Sequence, residues 1–302
     1  MPDDRIGFIG LGNMGGRMTR CIVRSGGRVL GYDLDRALVA EAGADVAVSV
    51  AEVADKAEVL LLSLPDSHVV EDVVLGGGGV LQHCRQGQVV VDLSTSAPAS
   101  TRKLHALLAE KGADYLDAGI SGGAAAADAG TLTLMVGGEA GPLERVRPVL
   151  VSFSANIFHV GPSGAGHTVK LLNNFLNAVS LAATAEVMVA AKKAGLDLAL
   201  VLEVINKSSG VNFATLNRFP KIITGDYLKG GLTNTLMMKD VVLYTEMASS
   251  VGVASLNSAG PLASFGLARA LGYADQISNT VVDAIGDVSG GVRLHNRGTG
   301  GQ

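Results

Sequence analysis

The chain has 302 residues, with 24 Lys+Arg against 28 Asp+Glu and a net charge of −4, a balance that argues against a nucleic-acid-binding protein. Hydrophobic residues make up 48% and charged residues 17%, so most of the chain is expected to fold, in about two domains. The two cysteines, Cys21 and Cys84, lack CxxC spacing, which favours a reducing compartment and excludes a disulfide framework.

The amino terminus carries two acidic residues before its first apolar run, a pattern typical of neither a secretory signal nor a transit peptide. No uninterrupted apolar stretch of about 20 residues is present to cross a bilayer. The histidines show no metal-ligand spacing, and His167 is expected to face solvent. We therefore expect a cytoplasmic protein that binds neither a membrane nor a metal.

Short apolar runs alternate with helical patterns through the first half of the chain. This βαβα rhythm predicts a Rossmann-type, doubly wound α/β domain with a mainly parallel sheet. The predicted strands are Arg5–Ile9, Arg28–Asp33, Glu58–Leu64, Gln88–Asp92, Asp114–Leu116, Thr131–Val136 and Asn156–Val160. The predicted helices span about 14–25, 36–43, 67–75, 98–112 and 139–151, the last broken by Pro148.

The rhythm ends at a glycine-rich segment near residue 161. A pattern from His167 to Ala194, without Pro or Gly, predicts one long interdomain helix. Later helical patterns at about 197–207, 232–250, 258–271 and 275–285 predict an all-α C-terminal domain. We expect a Rossmann domain over residues 1–163, an all-α substrate and oligomerisation domain over 164–288, and a flexible tail over 289–302.

A GxGxxG loop follows the first predicted strand and opens a helix, as Gly10-Leu11-Gly12-Asn13-Met14-Gly15. In a dinucleotide-binding loop the first glycine permits the turn, the second admits the pyrophosphate and the third packs the helix on the strand. Asp33 ends the second predicted strand, where a carboxylate accepts the adenosine-ribose hydroxyls and repels a 2′-phosphate. NAD is therefore favoured over NADP. Against this, Arg36 offers a phosphate contact, Asp33 alternatively caps the next helix, and flavin or S-adenosylmethionine also uses similar loops.

Four segments occur in a characteristic order and spacing: FIGLGNMG (8–15), DAGISGG (117–123) with GTLTLMVGG (130–138), GPSGAGHTVKLLNN (161–174) and MKD (238–240). Together they resemble the β-hydroxyacid dehydrogenase family, which includes 3-hydroxyisobutyrate dehydrogenase and tartronate semialdehyde reductase. The resemblance covers nearly the whole chain. It implies a Rossmann domain, an all-α domain built on a long helix, and nicotinamide-dependent oxidation of a β-hydroxy acid to its semialdehyde.

The resemblance also implies the substrate-handling residues. Lys170 is the implied general acid/base, since hydride leaves the carbinol carbon only as the hydroxyl proton is lost. Asn174 lies one helical turn further on and is implied to hold the substrate. The substrate carboxylate is implied to bind the hydroxyl and backbone N–H groups of Ser121, Gly122 and Gly123.

Further residues are implied to contact the cofactor. Leu64, Pro65 and Thr95 follow predicted strands and match positions that contact the nicotinamide half. Lys239 is implied to reach both the nicotinamide and the substrate. At Gly119-Ile120 the chain departs from the Pro-Val pair that is usual in the family, so the local backbone of the carboxylate site is expected to differ.

The sequence therefore predicts an NAD-dependent enzyme that interconverts a small β-hydroxy carboxylic acid and its semialdehyde. The alanine-rich long helix predicts a homodimer or homotetramer. An NADPH-dependent imine reductase of related architecture is an alternative, disfavoured by Lys170 and Asp33. A non-catalytic NAD-sensing protein is a second alternative, disfavoured by the presence of Lys170, Asn174 and Lys239.

Overall fold

The structure is a computed structural model that describes residues 6–228 and 230–295. The chain divides into two compact units, the first ending at Lys170 and the second beginning at Leu171.

The first unit is built on one eight-stranded sheet. Its strands are β1 (Ile6–Ile9), β2 (Val29–Tyr32), β3 (Asp45–Val46), β4 (Val59–Leu62), β5 (Val89–Asp92), β6 (Asp114–Ser121), β7 (Leu132–Gly137) and β8 (Ser154–Gly161). They lie in the order β3-β2-β1-β4-β5-β6-β7-β8, and every neighbouring pair is parallel except β6 and β7. The predicted Rossmann-type, mainly parallel sheet is confirmed.

The central strands are apolar along their whole length. β4 reads VLLL and β5 reads VVVD, and both are buried throughout, because a parallel strand covered on both faces has no solvent side. Alternate residues enter two separate hydrophobic clusters, Leu61 and Val91 in one and Leu60 and Val90 in the other. This alternation is the period-two pattern of a strand packed on both faces.

Helices accompany the strands in the described part of the first unit. They are α1 (Gly15–Arg24), α2 (Arg36–Glu41), α3 (Val50–Lys56), α4 (Ser67–Leu75), α5 (Val80–His83), α6 (Pro98–Ala109), α7 (Gly123–Ala129) and α8 (Ala140–Leu150). The predicted break at Pro148 is wrong: α8 is continuous, because a proline in the last turn removes only one backbone N–H donor from the helix.

The long helix is α9 (Ala165–Lys193), which begins two residues before the predicted start at His167. By length and composition it is apolar enough to cross a membrane, but more than half of its most apolar stretch is buried inside the protein. The core helix of a soluble protein has the same properties, so this is weak support for a membrane span.

The second unit is helical in the part of the chain described, apart from one isolated bridge between Thr233 and Ile277. This agrees with the predicted all-α domain. Its helices after α9 are α10 (Leu198–Asn206), α11 (Phe213–Asn217), α12 (Phe219–Ile222), α13 (Asn234–Ser250), α14 (Ala259–Ala268) and α15 (Val281–Val288).

Part of the predicted flexible tail is packed against the second unit. Leu294 is buried in its hydrophobic cluster, and the Arg293 guanidinium pairs with the carboxylates of Asp283 and Asp287. The remainder of that predicted tail, residues 296–302, lies outside the described residues.

Candidate active site

The three glycines of the loop after β1 occupy three different environments. Gly10 has a φ of 88°, and a Cβ there would lie 2.3 Å from the Ser63 carbonyl oxygen. A Cβ at Gly15 would lie 1.9 Å from the Gly10 carbonyl oxygen, whereas at Gly12 no described heavy atom comes within 4 Å. The first and third glycines are therefore required by the protein's own packing. The second leaves its backbone accessible, as an approaching pyrophosphate needs.

The amino terminus of α1 is not capped by the side chain of its N-cap residue. Met14 occupies the N-cap position and makes no capping hydrogen bond through its side chain. In α2, α3 and α4 a Ser or Asp side chain takes that role, as Asp66 does for α4. The positive end of the α1 dipole and its first N–H groups therefore suit an anionic ligand.

The Asp33 carboxylate is fixed at the end of β2. One oxygen accepts the Leu11 N–H at 2.7 Å and the other accepts the Asp35 N–H at 3.0 Å. The cap of α2 is Asp35, which accepts the Ala37 N–H, so the alternative in which Asp33 caps this helix is wrong. Arg36 is exposed in the first turn of α2.

Leu64, Pro65 and Thr95 follow the carboxyl ends of β4 and β5, which are neighbouring strands. The Ser94 hydroxyl accepts the Leu64 N–H at 3.0 Å and so ties the two loops together. Thr95 is half-buried and Pro65 is exposed. These loops lie at the edge of the sheet where open α/β proteins bind their ligands.

Ser121 is the last residue of β6, and α7 begins at Gly123. Gly122 and Gly123 both have positive φ, 128° and 68°. A Cβ at Gly123 would meet no described heavy atom within 4 Å. The segment is thus a strand-to-helix turn in which glycines leave the backbone open beside a half-buried hydroxyl.

Asp117 fixes the start of α9 against the sheet. Its fully buried carboxylate accepts the Gly164 N–H and the His167 N–H, each at 2.8 Å. Gly166 allows the helix backbone to approach the sheet closely. A Cβ at this position would lie 2.3 Å from the Met135 carbonyl oxygen and 2.5 Å from the Asp117 carbonyl oxygen. The first turn of α9 is therefore held firmly on β6 and β7.

Lys170 follows this anchored turn and is buried, with 8% of its surface exposed. It packs against Gly119 of β6, where a Cβ would lie 2.4 Å from the Lys170 Cβ and 3.0 Å from its Cγ. Glycine at position 119 therefore leaves room for the lysine stem. A buried amine on a fixed stem is a suitable group for proton transfer.

A buried polar network lies beneath this helix start. The His167 side chain is completely buried, so its predicted exposure is wrong: its Nδ1 hydrogen-bonds to Thr101 Oγ1 at 2.7 Å, and its Nε2 lies 3.3 Å from the Asp92 carbonyl oxygen. The Tyr115 hydroxyl donates to the Asp92 carboxylate at 3.0 Å. Burial, reinforced by this carboxylate, raises the pKa of Tyr115, which keeps the phenol a donor.

The second unit contains a separate polar cluster around Asp240 of α13. The Asn174 side-chain amide donates to Asp240 Oδ2 at 2.5 Å, and Lys239 Nζ lies 3.3 Å from Asp240 Oδ1. Asn174 and Asp240 are almost completely buried, whereas Lys239 is half-buried. The carboxylate therefore orients Asn174 and Lys239, the two residues of the second unit that the family resemblance assigns to the substrate.

Most of the predicted site residues of the first unit meet at one edge of its sheet. The glycine loop, Leu64 and Thr95 follow the carboxyl ends of β1, β4 and β5, and Ser121 is the last residue of β6. These four strands are successive neighbours in the sheet. Asn174 and Lys239 lie together in the second unit. Sequence reasoning missed Asp117 as the anchor of α9. The signal was present, because Asp117 begins the DAGISGG segment, but its partners lie 47 and 50 residues away.

Two family models match consecutive parts of the chain. The NAD-binding domain of 6-phosphogluconate dehydrogenase matches residues 5–161, and a domain described as the NAD-binding region of NADP-dependent 3-hydroxyisobutyrate dehydrogenase matches residues 164–284. The chain belongs to the β-hydroxyacid dehydrogenase family, with an NAD(P)-binding Rossmann domain.

Individual relatives agree with this assignment. The chain is 38% identical to 2-(hydroxymethyl)glutarate dehydrogenase of Eubacterium barkeri, over 92% of this chain and 93% of that protein. It is 39% identical to the NAD-dependent L-serine dehydrogenase of Pseudomonas aeruginosa, over 90% and 94%. The solved structure of Mycobacterium tuberculosis 3-hydroxyisobutyrate dehydrogenase with L-serine is 31% identical, with a TM-score of 0.82 over 92% of this chain and 98% of that one.

An imine reductase from Myxococcus stipitatus resembles the chain more distantly. It shares 18% identity and has a TM-score of 0.63, with 93% of this chain covered and 99% of that chain. At this identity the likeness shows the fold alone.

Proposed function

We propose that the protein is an NAD-dependent dehydrogenase that interconverts a small β-hydroxy carboxylic acid and its semialdehyde. The observation that carries the proposal is the buried Lys170, packed on β6 at Gly119 in the unit that carries the glycine loop. 2-(Hydroxymethyl)glutarate, L-serine and 3-hydroxyisobutyrate, which appear in the relatives' names, all contain a β-hydroxy carboxylate. This shared unit supports the substrate class.

Each residue has a defined task in the proposed reaction. Ser121, Gly122 and Gly123 hold the substrate carboxylate through a hydroxyl and backbone N–H groups. Lys170 accepts the proton of the substrate hydroxyl as the carbinol C–H bond breaks, and returns it in the reverse direction. Asn174 holds the substrate hydroxyl with the amide that Asp240 orients. Bound NAD supplies the hydride acceptor.

We propose NAD rather than NADP as the preferred cofactor. The Asp33 carboxylate is fixed by two backbone N–H donors, yet each of its oxygens retains a lone pair for a ribose hydroxyl. Its negative charge opposes a 2′-phosphate. Comparing the dissociation constants of NADH and NADPH for the wild type and Asp33→Ser tests this. The substitution is expected to weaken NADH binding and to reduce the difference between the two dissociation constants. Tighter binding of NADPH than of NADH by the wild type would contradict the proposed NAD preference.

We further propose a cytoplasmic homodimer or homotetramer. Large apolar side chains are exposed on the second unit, among them Leu176, Leu200, Val204 and Phe213, and a second copy is a suitable cover for such a surface. We expect this protein to have neither a membrane nor a metal as a partner. Sedimentation of the purified protein is expected to give a species of at least twice the 30.7 kDa chain mass, and a monomer alone would refute it.

The activity is tested with purified protein, NAD or NADP, and a panel that includes 3-hydroxyisobutyrate, D-glycerate, L-serine, threonate and 2-(hydroxymethyl)glutarate. The expected result is NADH formation with at least one member, followed by its absorbance. Silence across the panel with both cofactors contradicts the proposal. Calorimetric NAD binding with no response to any acid would instead support a non-catalytic NAD-sensing protein.

A further inference from the structure

Arg218, between α11 and α12, is a half-buried cation whose side-chain partners are neutral. Its guanidinium donates to the side-chain oxygen of Asn279 at 2.8 Å and to that of Asn177 at 3.0 Å. These bonds use two of five N–H donors. Among the described residues, no carboxylate forms an ion pair with it. A charge that is partly withdrawn from water is commonly paired with an opposite charge, and a carboxylate is the partner that Arg218 lacks among the described residues.

The local structure holds the guanidinium ready for an anion. The Asn279 amide donates to the Tyr227 carbonyl oxygen at 2.8 Å, which fixes its own oxygen towards Arg218. The Phe213 ring centre lies 5.6 Å from the guanidinium carbon. Burial lowers the pKa of Arg218 to about 10, which leaves the guanidinium charged at neutral pH.

The same arginine lies next to the helix face assigned to the substrate. Its partner Asn177 follows Asn174 by three positions and Lys170 by seven, so the three side chains share one face of α9. Asn174 and Asn177 are separated by a rise of about 4.5 Å along the helix axis. A substrate held at Asn174 therefore needs only a short chain to place a second anionic group at Arg218.

We propose that Arg218 is an anion subsite that receives the distal carboxylate of a dicarboxylic β-hydroxy acid held at Asn174. The inference rests on the proposed dehydrogenase function and narrows its substrate class. A carboxylate fits a single planar guanidinium through two parallel hydrogen bonds. A phosphate dianion needs further cationic groups, and Arg218 is the one cation in its described hydrogen-bonded cluster with Asn177 and Asn279.

Two matched substrates test the subsite. 2-(Hydroxymethyl)glutarate and 3-hydroxyisobutyrate carry the same hydroxymethyl and carboxylate groups on one carbon and differ only in a carboxyethyl or a methyl substituent. Wild-type kcat/KM is expected to be higher for the dicarboxylate. Arg218→Gln is expected to lower that value roughly 10- to 100-fold, mainly through KM, because it removes a charged hydrogen-bond donor. For the monocarboxylate, less than about a threefold change is expected.

Two further variants separate charge from structure. Arg218→Lys keeps the positive charge but loses the planar guanidinium that binds a carboxylate through two hydrogen bonds. This variant is therefore expected to retain part of the preference for the dicarboxylate. Lys221→Gln removes a neighbouring exposed charge and is expected to leave both substrates unchanged. Wild-type preference for the monocarboxylate, or an equal loss on both substrates in Arg218→Gln, would overturn the proposal.

A binding measurement keeps the subsite testable if the enzyme oxidises neither acid, an outcome that counts against the proposed function alone. Glutarate has no hydroxyl to oxidise. Calorimetry in the presence of NAD is expected to show that wild type binds glutarate more tightly than isobutyrate, and that Arg218→Gln loses the difference. Equal binding of the two acids, or tighter binding of inorganic phosphate than of glutarate, would contradict a carboxylate subsite.

Discussion

Gly119 is the residue on which the position of the Lys170 amine depends most directly. An added Cβ would lie 2.4 Å from the Lys170 Cβ, which belongs to the anchored start of α9 and cannot rotate away. We expect Gly119→Ala to displace the lysine and to lower kcat about tenfold or more, because small misplacements of reacting groups are costly. NADH affinity, measured by fluorescence titration, is expected to remain unchanged.

Gly141→Ala is the matched control for that substitution. Gly141 lies in α8, where a Cβ would meet no described atom within 4 Å, so alanine is expected to leave kcat unchanged. Wild-type kcat in Gly119→Ala would show that the close packing at Lys170 has no catalytic consequence.

His167 illustrates a residue whose role depends on contacts that are distant in sequence. Its ring is fully buried and hydrogen-bonded to Thr101. We expect His167→Leu to lower the free energy of unfolding by about 1–3 kcal/mol, because buried polar partners are left unsatisfied. Chemical denaturation measures this loss, with His68→Leu on the exposed surface of α4 as the control. Equal stability of the two variants would contradict the buried network.

Between elements, α4 and α6 are joined by a carboxylate that gives a defined pH dependence. Glu71 accepts hydrogen bonds from Lys103 Nζ and Ser100 Oγ, each at 2.6 Å, and these lower its pKa from 4.5. A carboxyl group with a lower pKa in the folded state stabilises the protein above its unfolded-state pKa. That stabilisation disappears as the pH falls through the folded-state pKa.

We therefore expect Glu71→Gln to lower the free energy of unfolding at neutral pH by less than about 1 kcal/mol, since the pair is near the surface. The difference from wild type is expected to vanish as the pH falls below 4.5. Urea unfolding at several pH values measures it, with Glu186→Gln as an exposed control. A difference that grows on acidification would refute the linkage.

The elements differ in how far sequence predicts them. β4 and β5 are predicted because an apolar run between turns is a local signal. The helices α3 and α5 have only seven and four residues, too few for a helical period to be recognised. The two-residue strand β3 exists only through its pairing with β2, which local sequence does not record.

The site residues likewise differ in how far the sequence predicts them. The glycine loop and Asp33 are predictable because their function depends on short sequence spacings. The anchoring of α9 by Asp117 and the bond between Thr101 and His167 join residues far apart in the chain. Such contacts follow from the packed fold, and a single sequence carries no direct signal of them. The neutral partners of Arg218, Asn279 and Asn177, likewise lie 61 and 41 residues away along the chain.

At the scale of the whole molecule, the two units carry different parts of the proposed reaction. The first carries the glycine loop, Asp33, Ser121 and Lys170, and the second carries Asn174 with Lys239. The two family models match these two parts of the chain in turn. The central claim of the proposed mechanism is that the Lys170 amine transfers the proton that accompanies hydride transfer.

The most direct measurement of that claim is kcat of Lys170→Met on an acid that the wild type oxidises, with Lys192→Met on the same helix as control. The account predicts a loss of about 10²- to 10⁴-fold in kcat, with unchanged NADH affinity and melting temperature, and no loss in the control. Turnover by Lys170→Met at the wild-type rate would contradict it.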